Sequence, residues 1–129
     1  MPPTFENPPG VPPPQAHYSH VARAGSTLYI SGQLGVAADG QPVALGDARA
    51  QARQAWANLA AILASYGADL SAIAKTTTFI THWGYRQPVA QARDEVLPGP
   101  RYPANTLVVV QGLAEPHFLV EIEAVAVLD

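Results

Sequence analysis

Hydrophobic and polar positions alternate in two stretches near the end of the chain, residues 102–111 and 118–127. Both stretches are rich in β-branched residues, and a turn containing glycine and proline separates them, so the pattern predicts two neighbouring strands. In the second stretch the alternation places apolar side chains on one face and two carboxylates, Glu121 and Glu123, on the other. Two carboxylates on an otherwise apolar strand are costly unless something binds or uses them, so this strand is the first candidate for a functional site.

The first half of the chain predicts further strands. Residues 21–31 are typical of a β-hairpin with a tight turn at Gly25 and Ser26. Gly32 follows directly, and it is expected to end or bulge the strand where a backbone or ligand approaches closely. The threonine-rich run at 73–81 favours another strand.

Two helices are predicted between these strands. Residues 47–66 carry apolar side chains at spacings of three and four, with Asp47 at the start and Gly67 just past the end. A shorter helix is predicted at 88–97, after a loop at 82–86. The order β-β-α-β-α-β-β predicts an α+β fold in which two helices pack on one face of a single mixed sheet. Copies of the same sheet are the obvious cover for the other face.

Residues 2–14 hold seven of the thirteen prolines. This composition predicts an extended arm that lies on the surface and contains no packed element of its own. We found no internal repeat, so residues 1–129 are predicted to form a single domain, with the proline-rich arm at 1–14.

Composition limits the classes of function. A net charge of −3 with only seven Lys and Arg argues against nucleic acid as a partner. No run approaches the roughly 20 apolar residues of a membrane span, and the first residues lack the features of a signal peptide. The absence of cysteine excludes disulfides and thiolate chemistry. These features favour a cytoplasmic protein.

Motifs that carry a family resemblance occur in consistent order over about residues 14–128. They are Pro103-Ala104, Glu-Ile-Glu-Ala-Val-Ala-Val at 121–127, Ser-Gly-Gln at 31–33, Ala-Gln-Ala-Arg-Gln at 50–54 with Asn58, and Lys-Thr-Thr at 75–77. In these motifs the chain resembles the RidA (YjgF) family. The resemblance implies a chorismate-mutase-like fold, a homotrimer whose sheets form a central barrel, clefts between subunits as sites, and hydrolysis of reactive enamines and imines.

The resemblance also assigns roles to individual residues. Glu121 matches the carboxylate that handles the attacking water or a substrate proton. The substrate-binding positions that it implies are Tyr18, Ser31, Gly32, Asn105 and Thr106.

Asn105 stands where deaminating members have an arginine, which binds the carboxylate of an imino acid through a bidentate, charge-assisted pair. Loss of a hydrogen bond to a charged group costs roughly 1.5–3 kcal/mol, and an asparagine offers only neutral groups. Arg101 is the nearest alternative cation in sequence. The standard 2-iminobutyrate activity is therefore not expected, and Asn105 suits a neutral amide, carbonyl or lactam-like ligand better.

Glu121 and Glu123 share a face, so close approach is expected to raise the pKa of the pair. A paired structural carboxylate at an oligomer interface is the alternative role for Glu121. Glu123 is interpreted as a structural partner, together with Lys75 or Arg53.

Other polar and aromatic residues carry weaker signals. His17 and His20 are three residues apart without a third ligand nearby, a pattern that does not predict a metal site. His20 is interpreted as lining the cleft or as filling a polar gap at a subunit contact. Trp83 is interpreted as an aromatic wall of the cleft or as ordinary loop packing. Ser31 has no associated base motif and is expected to form hydrogen bonds rather than to act as a nucleophile.

The sequence as a whole favours a RidA-like hydrolase (deaminase) or tautomerase that acts on a small reactive enamine or imine. Glu121 would orient water or take a proton, while Asn105, Ser31 and the amides near Gly32 hold the ligand and Tyr18 closes one side. Imine hydrolysis requires only a positioned water and proton transfer, so no metal or cofactor is expected. The alternative is a non-catalytic homotrimeric module that binds a small metabolite or a partner.

Overall fold

Residues 2–129 are described by a computed structural model of the chain. One sheet carries six strands, and two α-helices and two short 3₁₀ turns connect them. In chain order the elements are β1 (Thr4–Glu6), β2 (Val21–Ala24), β3 (Thr27–Gln33), α1 (Ala48–Ala64), β4 (Ile73–Ile80), α2 (Arg86–Val96), β5 (Ala104–Val109) and β6 (Val120–Val127), with 3₁₀ turns at Leu70–Ala72 and Trp83–Tyr85.

The strands are arranged in the order β1-β2-β3-β6-β4-β5. Strands β4 and β5 run parallel, and the other pairs are antiparallel. The predicted fold class, a mixed sheet with two helices on one face, is confirmed. The prediction that β5 and β6 are neighbours is wrong, because β4 lies between them. The mostly buried β6 occupies the centre of the sheet and the mostly exposed β5 its edge, so the ten residues 110–119 carry the chain past β4.

The alternation predicted for β6 is confirmed. Every second residue packs under the helices, where little or no side-chain surface is exposed: Val120, Ile122, Ala124 and Ala126. Glu121 and Glu123 point to the opposite side of the sheet, which we call the outer face. The outer face exposes large apolar side chains, with Phe5 67%, Tyr29 53% and Val127 48% exposed. It is therefore a surface that a second copy of the chain could cover.

Helix α1 begins and ends close to the predicted residues. The side chain of Asp47 accepts a hydrogen bond from the backbone nitrogen of Ala50 (3.0 Å) and caps the N-terminus. Gly67, with φ of 70°, lies just past the C-terminus, where a left-handed residue commonly ends a helix. The buried apolar face of α1 forms most of the contact between the helical layer and the sheet.

Two buried amides on α1 hold the connecting loops. Nε2 of Gln51 donates to the carbonyl of His117 (3.0 Å), and its Oε1 accepts from the backbone nitrogen of Leu119 (2.9 Å). Asn58 donates to the carbonyls of residues 34 and 36 at 3.2 and 3.0 Å. These bonds satisfy backbone groups that neither helix nor sheet pairs, so both amides are structural.

The N-terminal arm is more ordered than the sequence indicated. Thr4–Glu6 forms an edge strand, antiparallel to β2. Farther along, Val11 is 7% exposed and belongs to the core. The prediction of an arm without a packed element is therefore wrong, because the unpaired edge of β2 binds its backbone.

Helix α2 starts at Arg86, two residues before the predicted start. The predicted loop at 82–86 contains the 3₁₀ turn Trp83–Tyr85, which Nδ1 of His82 caps by accepting from the backbone nitrogen of Gly84 (2.8 Å). Glu95 on α2 forms ion pairs with Arg49 and Arg53 on α1. The hydrogen bonds from Arg53 and then Arg49 lower the pKa of Glu95 to about 2.

Within residues 2–129 no helix combines the length and apolar character that crossing a membrane requires.

Candidate active site

A bulge in β3 brings Gly32 against Glu121. The pairing of β3 with β6 shifts between Ile30 and Gln33, as the sequence predicted for this glycine. A Cβ at position 32 would lie 2.6 Å from Cδ and 2.7 Å from Cγ of Glu121. Only a glycine therefore leaves room for the carboxylate to lie over the backbone of β3.

The electrostatic environment of Glu121 disfavours its charge. Burial raises the pKa of Glu121 above its usual 4.5, and the nearby charge of Glu123 raises this pKa further. The partners that the sequence suggested for Glu123 are engaged elsewhere, since Arg53 pairs with Glu95 and Nζ of Lys75 donates to Oγ1 of Thr106 (3.1 Å). The carboxylate of Glu121 thus lies on the outer face without a cation of residues 2–129 within 4 Å.

Tyr18 and Ser31 lie near the glutamates on the outer face. They line an open cavity of about 550 Å³, together with Tyr29 and Glu123. Oγ of Ser31 donates to the carbonyl of Ser19 at 2.7 Å, so the hydroxyl proton is already committed. Ser31 retains its acceptor capacity, which agrees with a hydrogen-bonding role and not with a nucleophile.

His20 is buried and is part of the attachment of the arm. Its ring lies between the carbonyl of Pro12 and the side chain of Gln33, and its backbone nitrogen donates to Oδ1 of Asn7 (2.8 Å). The whole residue is only 5% exposed. Within this chain His20 therefore fastens residues 7–12 to the sheet and does not line the open cavity beside Tyr18.

Asn105 lies on the side of the sheet that faces the helices. It is paired with Thr76 across the parallel strands, and its Oδ1 accepts from the hydroxyls of Thr76 (2.9 Å) and Thr78 (3.2 Å). The next residue, Thr106, points to the outer face. The two strand positions that the resemblance assigned to substrate binding thus lie on opposite faces of β5.

Asn105 opens into a cavity of about 190 Å³ between β5 and α2, lined also by Trp56, Arg86 and Arg93. Trp83 adjoins this cavity through Arg86, whose guanidinium carbon lies 4.9 Å from the centre of the Trp83 ring. We call Asn105, Arg86, Arg93 and Trp56 the helix-side cluster. Our sequence analysis missed the two arginines, although their spacing of seven residues places them on one face of a helix.

The predicted site residues therefore form two groups in one chain. On the outer face Tyr18 and Ser31 line the open cavity, and Gly32 and Glu121 contact each other next to Ser31; we call these four residues the outer-face cluster, whereas Asn105 belongs to the helix-side cluster. The sheet separates the two groups. A single chain does not bring Glu121 and Asn105 into one cavity.

The histidines and acidic residues do not form a metal site with each other. In the part of the chain from Pro2 to Asp129, no group of three or more His, Cys, Asp or Glu side chains is arranged to hold an ion.

Comparison with known proteins gives these clusters a family context. A sequence model described as endoribonuclease L-PSP matches residues 10–128. The chain belongs to the RidA (YjgF) family. The RutC protein of Acinetobacter baylyi, named a 3-aminoacrylate deaminase, is 34% identical over 126 residues, 98% of either chain. A 2-iminobutanoate/2-iminopropanoate deaminase of Dermatophagoides farinae is 31% identical over 121 residues, 94% of this chain and 93% of the relative.

Solved structures of RidA proteins share the whole fold. YyfA of Yersinia pestis, a Rid family protein of unknown function, has a TM-score of 0.90 and 31% identity over 98% of this chain and 99% of its own. RidA of an Antarctic Psychrobacter has a TM-score of 0.85 and 29% identity, with 92% and 94% of the two chains covered. The likeness includes every element that carries the two clusters.

Proposed function

We propose that this RidA-family protein is a deaminase or tautomerase that acts on a small reactive enamine or imine other than 2-iminobutanoate. The observation that carries the proposal is the carboxylate of Glu121, which is half-buried, packs against Gly32 and has a raised pKa. A carboxylate whose pKa moves toward neutrality is suited to accept a proton and return it. The names of the two curated relatives support the reaction class. Asn105, which stands where the resemblance implies an arginine, favours a substrate other than 2-iminobutanoate.

In the proposed reaction Glu121 removes a proton from a water molecule as that water attacks the imine carbon. The carbon–nitrogen double bond becomes a single bond, and the carboxyl group returns this proton to the nitrogen to give a neutral carbinolamine. The carboxylate then removes the proton of the new hydroxyl group and delivers it to the nitrogen as the carbon–nitrogen bond breaks, so a carbonyl compound and ammonia leave and protons balance over the cycle. An enamine substrate first takes a proton at carbon and loses one from nitrogen to become the imine.

We further propose that each site is shared by neighbouring copies in a homotrimer. One copy supplies the outer-face cluster and its neighbour supplies Asn105, because the sheet keeps these groups apart within one chain. The exposed Phe5 and Tyr29 on the outer face support an assembly that covers this surface. The expected particle has three times the 13.6 kDa mass of one chain.

A complementation assay tests both parts of this proposal. Ammonia release from freshly generated 3-aminoacrylate and 2-iminobutanoate is measured with the wild type, with Glu121→Gln, with Asn105→Leu, and with the two variants refolded together. The wild type should accelerate release from an enamine or imine, and each variant alone should be slow. In mixed trimers about a quarter of the sites should combine both intact groups, because each interface draws one group from either copy.

Recovery on mixing supports a shared active site. Activity that is lost in both variants and does not recover would place both groups in one chain and contradict the assembly. If the wild type accelerates neither reaction, while a small metabolite raises its unfolding temperature, the chain is a binding module and the enzymatic proposal fails.

Gly32→Ala should remove most of the activity with little loss of stability. The new methyl group would occupy the position of the Glu121 carboxylate, which must rotate away from the β3 backbone. Gly112→Ala is the matched control, because a Cβ at position 112 meets nothing within 4 Å. Steady-state kinetics and thermal unfolding of both variants check the prediction, and an unimpaired Gly32→Ala enzyme would contradict the assigned position of Glu121.

A further inference from the structure

The polar groups around the helix-side cavity are nearly all hydrogen-bond donors. Arg86 and Arg93 line it from α2, and a guanidinium offers only N–H groups. Trp56 lines it from α1, and the side chain is 2% exposed. Its indole N–H is the one fully buried side-chain nitrogen or oxygen in residues 2–129 without a hydrogen-bond partner. A buried donor without a partner costs about 1–3 kcal/mol, so a ligand acceptor would relieve it.

Asn105 also presents a donor. Its Oδ1 is occupied by the hydroxyls of Thr76 and Thr78, so the acceptor end of the amide is turned toward β4. The NH₂ group donates to no group in the described part of the chain, and Asn105 is exposed at the edge of the sheet. A donor at this position adds to those of Arg93 and Trp56.

The two arginines bring positive charge to the cavity, and that of Arg93 is partly compensated by an ion pair with Asp94 (3.0 Å). Arg86 forms no ion pair with the carboxylates of residues 2–129, and its guanidinium is held against the ring of Trp83. Arg93 donates through Nε and Nη2 to a single oxygen of the exposed Asp94, at 3.1 and 3.0 Å, which leaves Nη1 free. Arg93 and Asn105 also line a neighbouring cavity of about 400 Å³, so Arg93 lies where the two cavities meet.

We infer that the helix-side cluster binds the carboxylate of the substrate, and that Arg93, with Arg86, supplies the cation that position 105 lacks. The substrate class is thus a small carboxylate-bearing enamine or imine whose carboxylate is directed to α2 and not, as the resemblance implies for 2-iminobutanoate, to the side chain at position 105. This inference rests on the proposed function for its substrate, whereas the anion site rests on the cavity alone. A carboxylate fits the chemistry because it offers acceptors only, which match the guanidinium, indole and amide donors.

The size of the cavity limits the size of the ligand group, and its position distinguishes Arg93 from Arg101 as the cation. A volume of about 190 Å³ is smaller than the roughly 300–1,000 Å³ that encloses a drug-sized ligand, so one small acid end is accommodated. Arg101, the alternative suggested by the sequence, lines two other depressions, and Asn105 lines neither of them. Arg101 is therefore a suitable control for removal of a positive charge outside the site.

Binding of unreactive carboxylates tests the inference without turnover. Propionate and 2-oxobutanoate are titrated into the wild type, Arg93→Gln, Arg93→Lys and Arg101→Gln, with propionamide as the neutral probe. Dissociation constants come from nuclear magnetic resonance titrations of the indole N–H signals. The chain has only two tryptophans, and Trp83→Phe assigns the signal of Trp56.

In the wild type and in Arg101→Gln, the Trp56 signal should shift downfield with carboxylate and not with propionamide. Arg93→Gln should weaken carboxylate binding at least about tenfold, because a charge-assisted hydrogen bond is lost, and Arg93→Lys should restore part of it. Equal affinities in Arg93→Gln and Arg101→Gln, or an unmoved Trp56 signal, would overturn the inference. Carboxylate binding that depends on Arg93 in a protein that releases no ammonia would sustain the anion site and reject the proposed function.

Discussion

Glu121→Gln is expected to lower kcat/KM for ammonia release by at least about 100-fold, the lower range for loss of a general acid–base group. Glutamine preserves the shape of the side chain over Gly32 but neither accepts nor returns a proton near neutral pH. The measurement is steady-state kinetics on the enamine or imine that the wild type hydrolyses. The mass of the assembly is determined in parallel, so that a loss of subunits is not mistaken for a loss of chemistry.

The neighbouring carboxylate provides the control. Glu123 lies two residues farther along the same face of β6 and is exposed, so Glu123→Gln removes an equal charge. It should retain most of the activity and lower the pKa of Glu121, because it removes a repulsive charge. The acidic limb of the pH–rate profile should therefore move to lower pH in Glu123→Gln. Equal losses in the two variants would mean that Glu121 has no special role.

The raised pKa of Glu121 also predicts a gain in stability on substitution. Burial makes the ionised carboxylate unfavourable in the folded state, so the folded protein loses stability as the pH rises above the unfolded-state pKa, and the loss is complete once the pH exceeds the folded-state pKa. Glu121→Gln should therefore unfold at a higher temperature than the wild type at pH 8, and the difference should shrink as the pH falls toward 4.5. An inactive variant that is more stable than its parent is typical of a residue kept for function.

Gln51→Leu is expected to destabilise the protein by about 3 kcal/mol, because it leaves several buried backbone groups without partners. The side chain is 1% exposed, and its amide satisfies the carbonyl of His117 and the nitrogen of Leu119. Urea unfolding at a fixed chain concentration measures the effect. Gln91→Leu makes the same change at an exposed position of α2 and should alter the unfolding free energy by about 0.5 kcal/mol or less. Similar values for the two variants would contradict the structural role of Gln51.

Sequence patterns correctly predicted the elements whose structure depends mainly on interactions between residues that are close in the chain. Helix α1 was predicted within two residues at either end, because Asp47, the apolar spacing and Gly67 act within one or two turns. The alternation in β6 identified the face that carries Glu121. The bulge at Gly32 was predicted because a glycine in a strand marks a close approach, although the sequence did not identify Glu121 as the group that approaches.

Features that depend on distant parts of the chain were not predictable. The position of β4 between β5 and β6 depends on which strands become most buried in the sheet. In the sequence, the connection at 110–119 looks like a turn between two neighbouring strands. The family resemblance named Asn105 and Glu121 together, but a single sequence does not show that they lie on opposite faces of the sheet. Arg86 and Arg93 belong to no sequence motif. Their proposed role in an anion site is recognised only from the donor groups on α1 and β5 that lie beside them.

Because β6 lies at the centre of the sheet, the proposed activity depends on the correct pairing register of this strand. Each residue of this strand faces either the hydrophobic interior or the outer face, so a slip by one residue would exchange Ile122 and Glu121 and would disrupt both the core and the proposed active site. The bulge in β3 at Gly32 leaves room for Glu121 in only one register of β6. An activity measurement would therefore also test whether β6 has paired with its neighbours in the correct register.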